Sequence, residues 1–253
     1  MGWTVSEVAV LAVASAAAGA INAVAGGGTL LSFPAAMAVG MPSLVANATN
    51  STALTLASLA SAWAYRRELA EESLTARFLL LPSLLGGLGG AMLLQATSPR
   101  VFDTLVPMLL LLATALLLVQ NLKRRMLLAE VAPAKRWMLW GAQFGVALYG
   151  GYFGAGMGIV MLAIFDHLGG GDLHRKNALK MVLGFVINGV AALWLLGARA
   201  VCLDVALWMA VAASIGGWWG AALARKVDPR KVRWLVVLVG LVLTAVQARK
   251  FWA

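Results

Sequence analysis

The sequence predicts an all-α polytopic membrane protein of two inverted-topology repeats, with about eight to ten hydrophobic helices, some short and broken or re-entrant behind glycines. Three observations carry this expectation. Hydrophobic residues make up 62% of the 253 and charged residues 12%, which leaves too little polar surface for a soluble domain. Apolar segments of spanning length alternate with short basic clusters. The chain also repeats itself at a fixed offset. Asn47-Ala48 matches Asn177-Ala178 at 130 residues, and the same offset carries Gly86, Gly87, Gly90 and Ala91 onto Gly216, Gly217, Gly220 and Ala221. It also carries Pro99-Arg100 onto Pro229-Arg230 and Thr114-Ala115 onto Thr244-Ala245, while Gly26 and Gly28 match Gly154 and Gly156 at 128. One register through glycines, a proline-arginine pair and polar residues marks a duplicated unit with a two-residue insertion. Residues 1–121 are expected to form the first transmembrane repeat, 122–136 a cytoplasmic linker and 137–253 the second repeat.

Taken in order, the first half has apolar elements at about 4–25, 28–41, 43–64, 74–96 and 101–121. The first is a retained helix, because Arg66 is the first basic residue and the charged start of a signal peptide is missing. Gly26-Gly27-Gly28 breaks it from a short segment ended by Gly40, Met41 and Pro42. Polar side chains then enter an apolar helix as Asn47, Thr49, Asn50, Ser51 and Thr52, and Asn47 and Asn50, three apart, share a face. The glycines at 86, 87, 89 and 90 form a small-residue face for close helix approach, as do Gly216, Gly217 and Gly220. The linker KRRMLLAEVAPAKR, with Pro133, is the boundary between halves. The second half has elements at about 137–153, 156–169, 173–197, 201–224 and 231–250. Its glycine break reads YGGYFGAGMG, and Asn177 and Lys180 follow. Each half's second element is about 14 residues, or roughly 21 Å against a hydrocarbon core of about 30 Å. Trp218, Trp219 and Trp234 sit near span ends as interfacial anchors.

Charge sets the orientation. With the 122–136 linker cytoplasmic and an odd number of crossings per half, 16 of the 20 basic residues lie inside, leaving Arg100, Arg199, Arg249 and Lys250 outside. The positive-inside rule then places both termini outside and makes the repeats inverted. It does not separate five crossings per half from three plus a re-entrant hairpin.

Soluble-enzyme chemistry is missing. The glycine stretches lack the Lys-Ser/Thr ending of a phosphate loop. His167 and His174 are seven apart, and Cys202 is the one cysteine, so no zinc motif or intrachain disulfide arises. Neither a cofactor nor a metal is expected. The formal charge of +10 is spread through loop clusters, which argues against nucleic acid as a partner. All ten acids, Asp166 and Asp172 among them, fall in loops or at span ends, so no mid-membrane carboxylate is expected for a proton relay or a cation site. Amides, hydroxyls, backbone N–H groups at the broken helices and one lysine remain, a donor set that favours an anion. Two readings of the asparagines stand, helix packing or a polar path. Lys180 likewise either snorkels to the interface or faces the path.

The segment NAVAGGGTLLSFPAAMAVGMPSLVANATNSTAL, with GGYFGAGMGIVML and NALK, resembles the TauE/SafE family of sulfite-exporter-like membrane proteins over essentially the whole chain. The resemblance implies a transporter of sulfite, organosulfonates or related sulfur and carboxylate anions across the bacterial inner membrane, and the expected function is a secondary transporter working as an exporter. It points to Gly26, Gly27, Gly28 and Thr29 at the first break, to Asn47 and Asn50, to Gly154 and Gly156 at the second break, and to Asn177 and Lys180. Asn22 and Tyr152, which flank the breaks, complete the candidate substrate-binding set. The partners expected are a small anion and the lipid bilayer, with a homo-oligomer left open. An anion or small-solute channel is the alternative; an intramembrane enzyme lacks a nucleophile–base pair, and a structural partner subunit would move no solute alone. Reporter fusions should place both termini outside and the 122–136 loop in the cytoplasm; a cytoplasmic terminus would overturn the inverted arrangement.

Overall fold

The computed structural model describes residues 3–123, 136–165, 173–224 and 226–252. Residues 124–135 of the expected linker, together with Asp166, His167, Asp172 and Arg225, lie outside the described residues. Every regular element among the described residues is an α-helix. The first half contains α1 (Val5–Val24), α2 (Thr29–Ala38), α3 (Ser43–Ala64), α4 (Arg66–Glu71), α5 (Ser73–Ala96) and α6 (Pro99–Lys123). The second contains α7 (Arg136–Tyr152), α8 (Met157–Phe165), α9 (Leu173–Gly197), α10 (Leu203–Leu223) and α11 (Pro229–Trp252). All the expected apolar elements form. The unforeseen one is α4, six residues reading RRELAE, too short and too charged to show an apolar period.

Local sequence explains the boundaries. Thr4 and Glu7 form a capping box at the start of α1, with Glu7 N–H donating to Thr4 Oγ1 and Thr4 N–H to Glu7 Oε2. The last helix of each half opens on proline, Pro99 and Pro229, where the missing N–H costs nothing. α2 stops at Gly40, whose φ of 90° suits glycine alone, and Met41 N–H closes the end on Ala36 O at 3.2 Å.

Among the described residues, five helices are long and apolar enough to cross a bilayer: α1, α5, the Pro99–Val119 part of α6, α9 and α10. Their outer faces carry exposed large apolar residues such as Leu80, Leu111 and Leu207, a surface that lipid covers at no cost. The chain is a multi-pass α-helical membrane protein. Trp218, Trp219 and Trp234 are exposed near helix ends. α2 has ten residues and α8 nine, roughly 15 and 14 Å of helix, about half a hydrocarbon core.

Both short helices fold back on their predecessors. A Cβ on Gly28 would overlap Ala18 O, and Leu31 to Ala38 of α2 share one groove with Ala9 to Ala17 of α1. In the second half Met157, first in α8, packs its sulfur on Gly150 of α7. Each half therefore starts with a hairpin, a long helix and a short return, and the two tips touch: a Cβ on Gly26 would lie 3.3 Å from Ile159 N.

The hairpins pack across the halves. On α10, Gly216 and Gly220 lie against Ala16 and Ala20 of α1; on α5, Gly86 and Gly90 lie against Phe144 and Leu148 of α7. Gly217 meets Ala57 of α3, and Gly87 meets Ile187 of α9. Each of these contacts maps onto its counterpart through the offsets of 128 and 130. Only glycine permits them, because the neighbour is backbone that cannot yield. Gly216→Ala and Gly90→Ala should each cost about 1–3 kcal/mol through overpacking and lower the unfolding temperature in detergent. Gly141→Ala, whose Cβ meets nothing within 4 Å, should not; equal melting of all three would refute the packing account.

Candidate functional site

The two hairpin tips meet α3 and α9 at the centre of the bundle. Four glycines take left-handed backbone there, Gly26 (φ 79°), Gly27 (88°), Gly154 (77°) and Gly156 (77°), a conformation other residues adopt only under strain. The halves differ in detail, since the first tip uses two successive left-handed glycines and the second places Ala155 between them. Gly28 stays in the right-handed region and is needed instead for its contact with Ala18.

A helix that ends inside an apolar bundle leaves carbonyls without partners. Here side chains from the other half answer them. Lys180, 1% exposed, turns its Nζ inward and donates to Asn22 O in the last turn of α1 at 2.9 Å and to Asn177 Oδ1 at 2.8 Å. It does not snorkel. The ammonium sits at the negative end of α1, where a cation is favoured. On the opposite side Asn47 Nδ2 donates to Tyr152 O, the last residue of α7, at 2.9 Å.

Beside Lys180 lies a cavity of about 20 Å³, room for one water-sized body. Its polar lining comes from Asn22, Thr29, Ser51, Ser58, Lys180 and Asn188. Gly154, Met157 and Gly158 also border it, so the N-termini of α2 and α8 both open there. Lys180 is the one basic residue of this lining, and no carboxylate belongs to it. Such an arrangement can hold a small anion by an ammonium, hydroxyls, amides and helix N-termini.

Of the sequence-derived candidates, Asn22, Thr29, Gly154 and Lys180 line the cavity; Gly26, Gly27, Gly28, Asn47, Asn50, Tyr152, Gly156 and Asn177 do not. Asn47 and Lys180 each bond across the halves to a last-turn carbonyl of the opposite hairpin. Asn50 is fully buried, and neither its Oδ1 nor its Nδ2 has a hydrogen-bond partner. Ser51, Ser58 and Asn188 were missed. Their signal was present, for Ser51, Leu54 and Ser58 lie on one helical face and the 130 offset maps them onto Met181, Gly184 and Asn188, all at the cavity.

Broken hairpins, crossed helices and a polar centre without carboxylates define a class, that of multi-pass membrane transporters. Within it, the chain belongs to the sulfite exporter TauE/SafE family, whose model matches residues 11–247. A probable membrane transporter protein of Haemophilus influenzae is 28% identical over 234 residues, covering 89% of this chain and 88% of that protein. The probable membrane transporter protein YfcA of Escherichia coli K12 is 27% identical over 236 residues, covering 90% and 84%. No solved structure matches. Gly28→Leu and Gly156→Leu should abolish transport while leaving protein in the membrane, read as flux into vesicles of matched protein content; near-normal flux in both would remove these glycines from the pathway.

Proposed function

We propose that this protein is a secondary transporter, working as an exporter, of small anions such as sulfite, organosulfonates or related sulfur and carboxylate anions across the bacterial inner membrane. The observation that carries the reading is the buried Lys180 ammonium in a cavity onto which two short-helix N-termini open and which has no acid in its lining. Membership of the family and two relatives named as probable membrane transporters support it, and support a role in moving solute rather than in catalysis. In this proposal the two halves are inverted repeats with both termini outside, and the paired packing of α1 on α10 and α7 on α5 supports that pseudo-symmetry. Space for about one water favours an occluding transporter over an open channel.

In binding, the cavity beside Lys180 widens around the anion, with Thr29, Ser51, Ser58 and Asn188 as further donors. A hydrogen bond to a charged group is worth about 1.5–3 kcal/mol, one to two powers of ten in affinity. Lys180→Met should therefore raise the dissociation constant for sulfite or a short sulfonate by about 10- to 100-fold, measured by titration of purified protein with unfolding temperature as the control for integrity. Unchanged binding in a folded variant would place the anion elsewhere, and ohmic single-channel currents from the wild type would make it a channel.

A further inference from the structure

Lys180 and Asn50 occupy equivalent positions in the two halves at the offset of 130, as do Asn177 and Asn47. In the second half, the position beside the C-terminal turn of α1 holds an ammonium, fixed by one backbone carbonyl, Asn22 O, and one amide oxygen, Asn177 Oδ1. In the first half, the C-terminal turn of α7 presents Tyr152 O to Asn47, the counterpart of Asn177. Asn50 stands there where the second half has lysine. Three buried polar atoms on this face have no hydrogen-bond partner: Asn47 Oδ1, Asn50 Oδ1 and Asn50 Nδ2. Both asparagines are fully buried.

We propose that Asn47 and Asn50, with the last-turn carbonyl of Tyr152, form a site for a small alkali cation, the mobile counterpart of the ammonium that Lys180 fixes in the other half. Each ligand supports that chemistry. The oxygens are neutral amide and carbonyl oxygens at the negative end of a helix, which favours a cation and disfavours an anion. A divalent ion would want carboxylates, and none is buried among the described residues. A proton has no titratable group to bind in an amide. Three buried amide atoms without partners, on Asn47 and Asn50, would otherwise cost stability with nothing to offset it. Sequence reasoning argued against a cation because it looked for an acid; the structure assigns the role to oxygens without charge.

This inference does not depend on the anion reading, since it concerns the opposite hairpin. It is tested by equilibrium binding of radioactive Na+ to the purified full chain, with choline replacing Na+ in the reference and the same counter-anion throughout. The wild type should bind Na+ saturably at a single site per chain. Asn50→Lys, which supplies a tethered ammonium, and Asn50→Leu, which removes the oxygen, should each lose at least tenfold in affinity. Lys180→Asn, which frees the equivalent position, should gain a second site. Absence of saturable Na+ binding in the wild type would overturn the proposal. So would wild-type affinity in either Asn50 variant. Should the Asn50 variants not fold, Lys180→Asn binding no more Na+ than the wild type would overturn it alone. Anion titrations with Lys180→Met are read separately, so either idea can fail without the other.

Discussion

A helix that stops among apolar helices must have its last carbonyls satisfied from within the protein, and the centre of this bundle follows from that constraint. α1 and α7 both end on glycine breaks among apolar helices, out of reach of bulk water. Lys180 meets one end and Asn47 the other. Each bond runs from one half of the chain to the opposite hairpin, so the breaks are stable only when both halves are present. The ammonium has a second effect, because once held by two oxygens it brings positive charge to a cavity that lacks acids.

Glycine does two kinds of work in the chain. At Gly26, Gly27, Gly154 and Gly156 it supplies a backbone conformation, and the tips could not turn without it. At Gly86, Gly90, Gly216 and Gly220 the backbone is ordinary helix, and what matters is the absence of a Cβ between two main chains. The close approach brings α1 against α10 and α7 against α5, which in turn fixes where the hairpin tips meet. A cavity holding about one water follows from that tight convergence.

Much of the architecture was legible because glycine and proline punctuate it. Gly26 to Gly28, Gly40, Pro42, Pro99 and Pro229 mark real ends, and the register of 128 to 130 residues paired the packing glycines before any contact was known. The direction of α2 and α8 was not legible, since a positive-inside count gives the same answer for a hairpin that crosses twice and one that re-enters. Partners of Asn47 and Lys180 were also out of reach. Sequence shows which side chains carry donors, but not that a carbonyl freed by a break over a hundred residues away in sequence will recruit them. Ser51 and Ser58 were hidden differently, as two small hydroxyls in a helix full of them, where their common face is distinguished only by its match to Asn188.

The cross-packing of the hairpins also bears on mechanics. Contacts in which one main chain lies directly on another do not slide, because no side chain is there to change rotamer. α1 is locked to α10, and α7 to α5, so each locked pair takes one helix from either half of the chain. The genetic repeat and the mechanical part are then different objects. α3 and α9 belong to the same two blocks, because Gly217 of α10 lies on Ala57 of α3 and Gly87 of α5 on Ile187 of α9. If the bundle opens to one face and then to the other, the pieces that swing are these two mixed blocks.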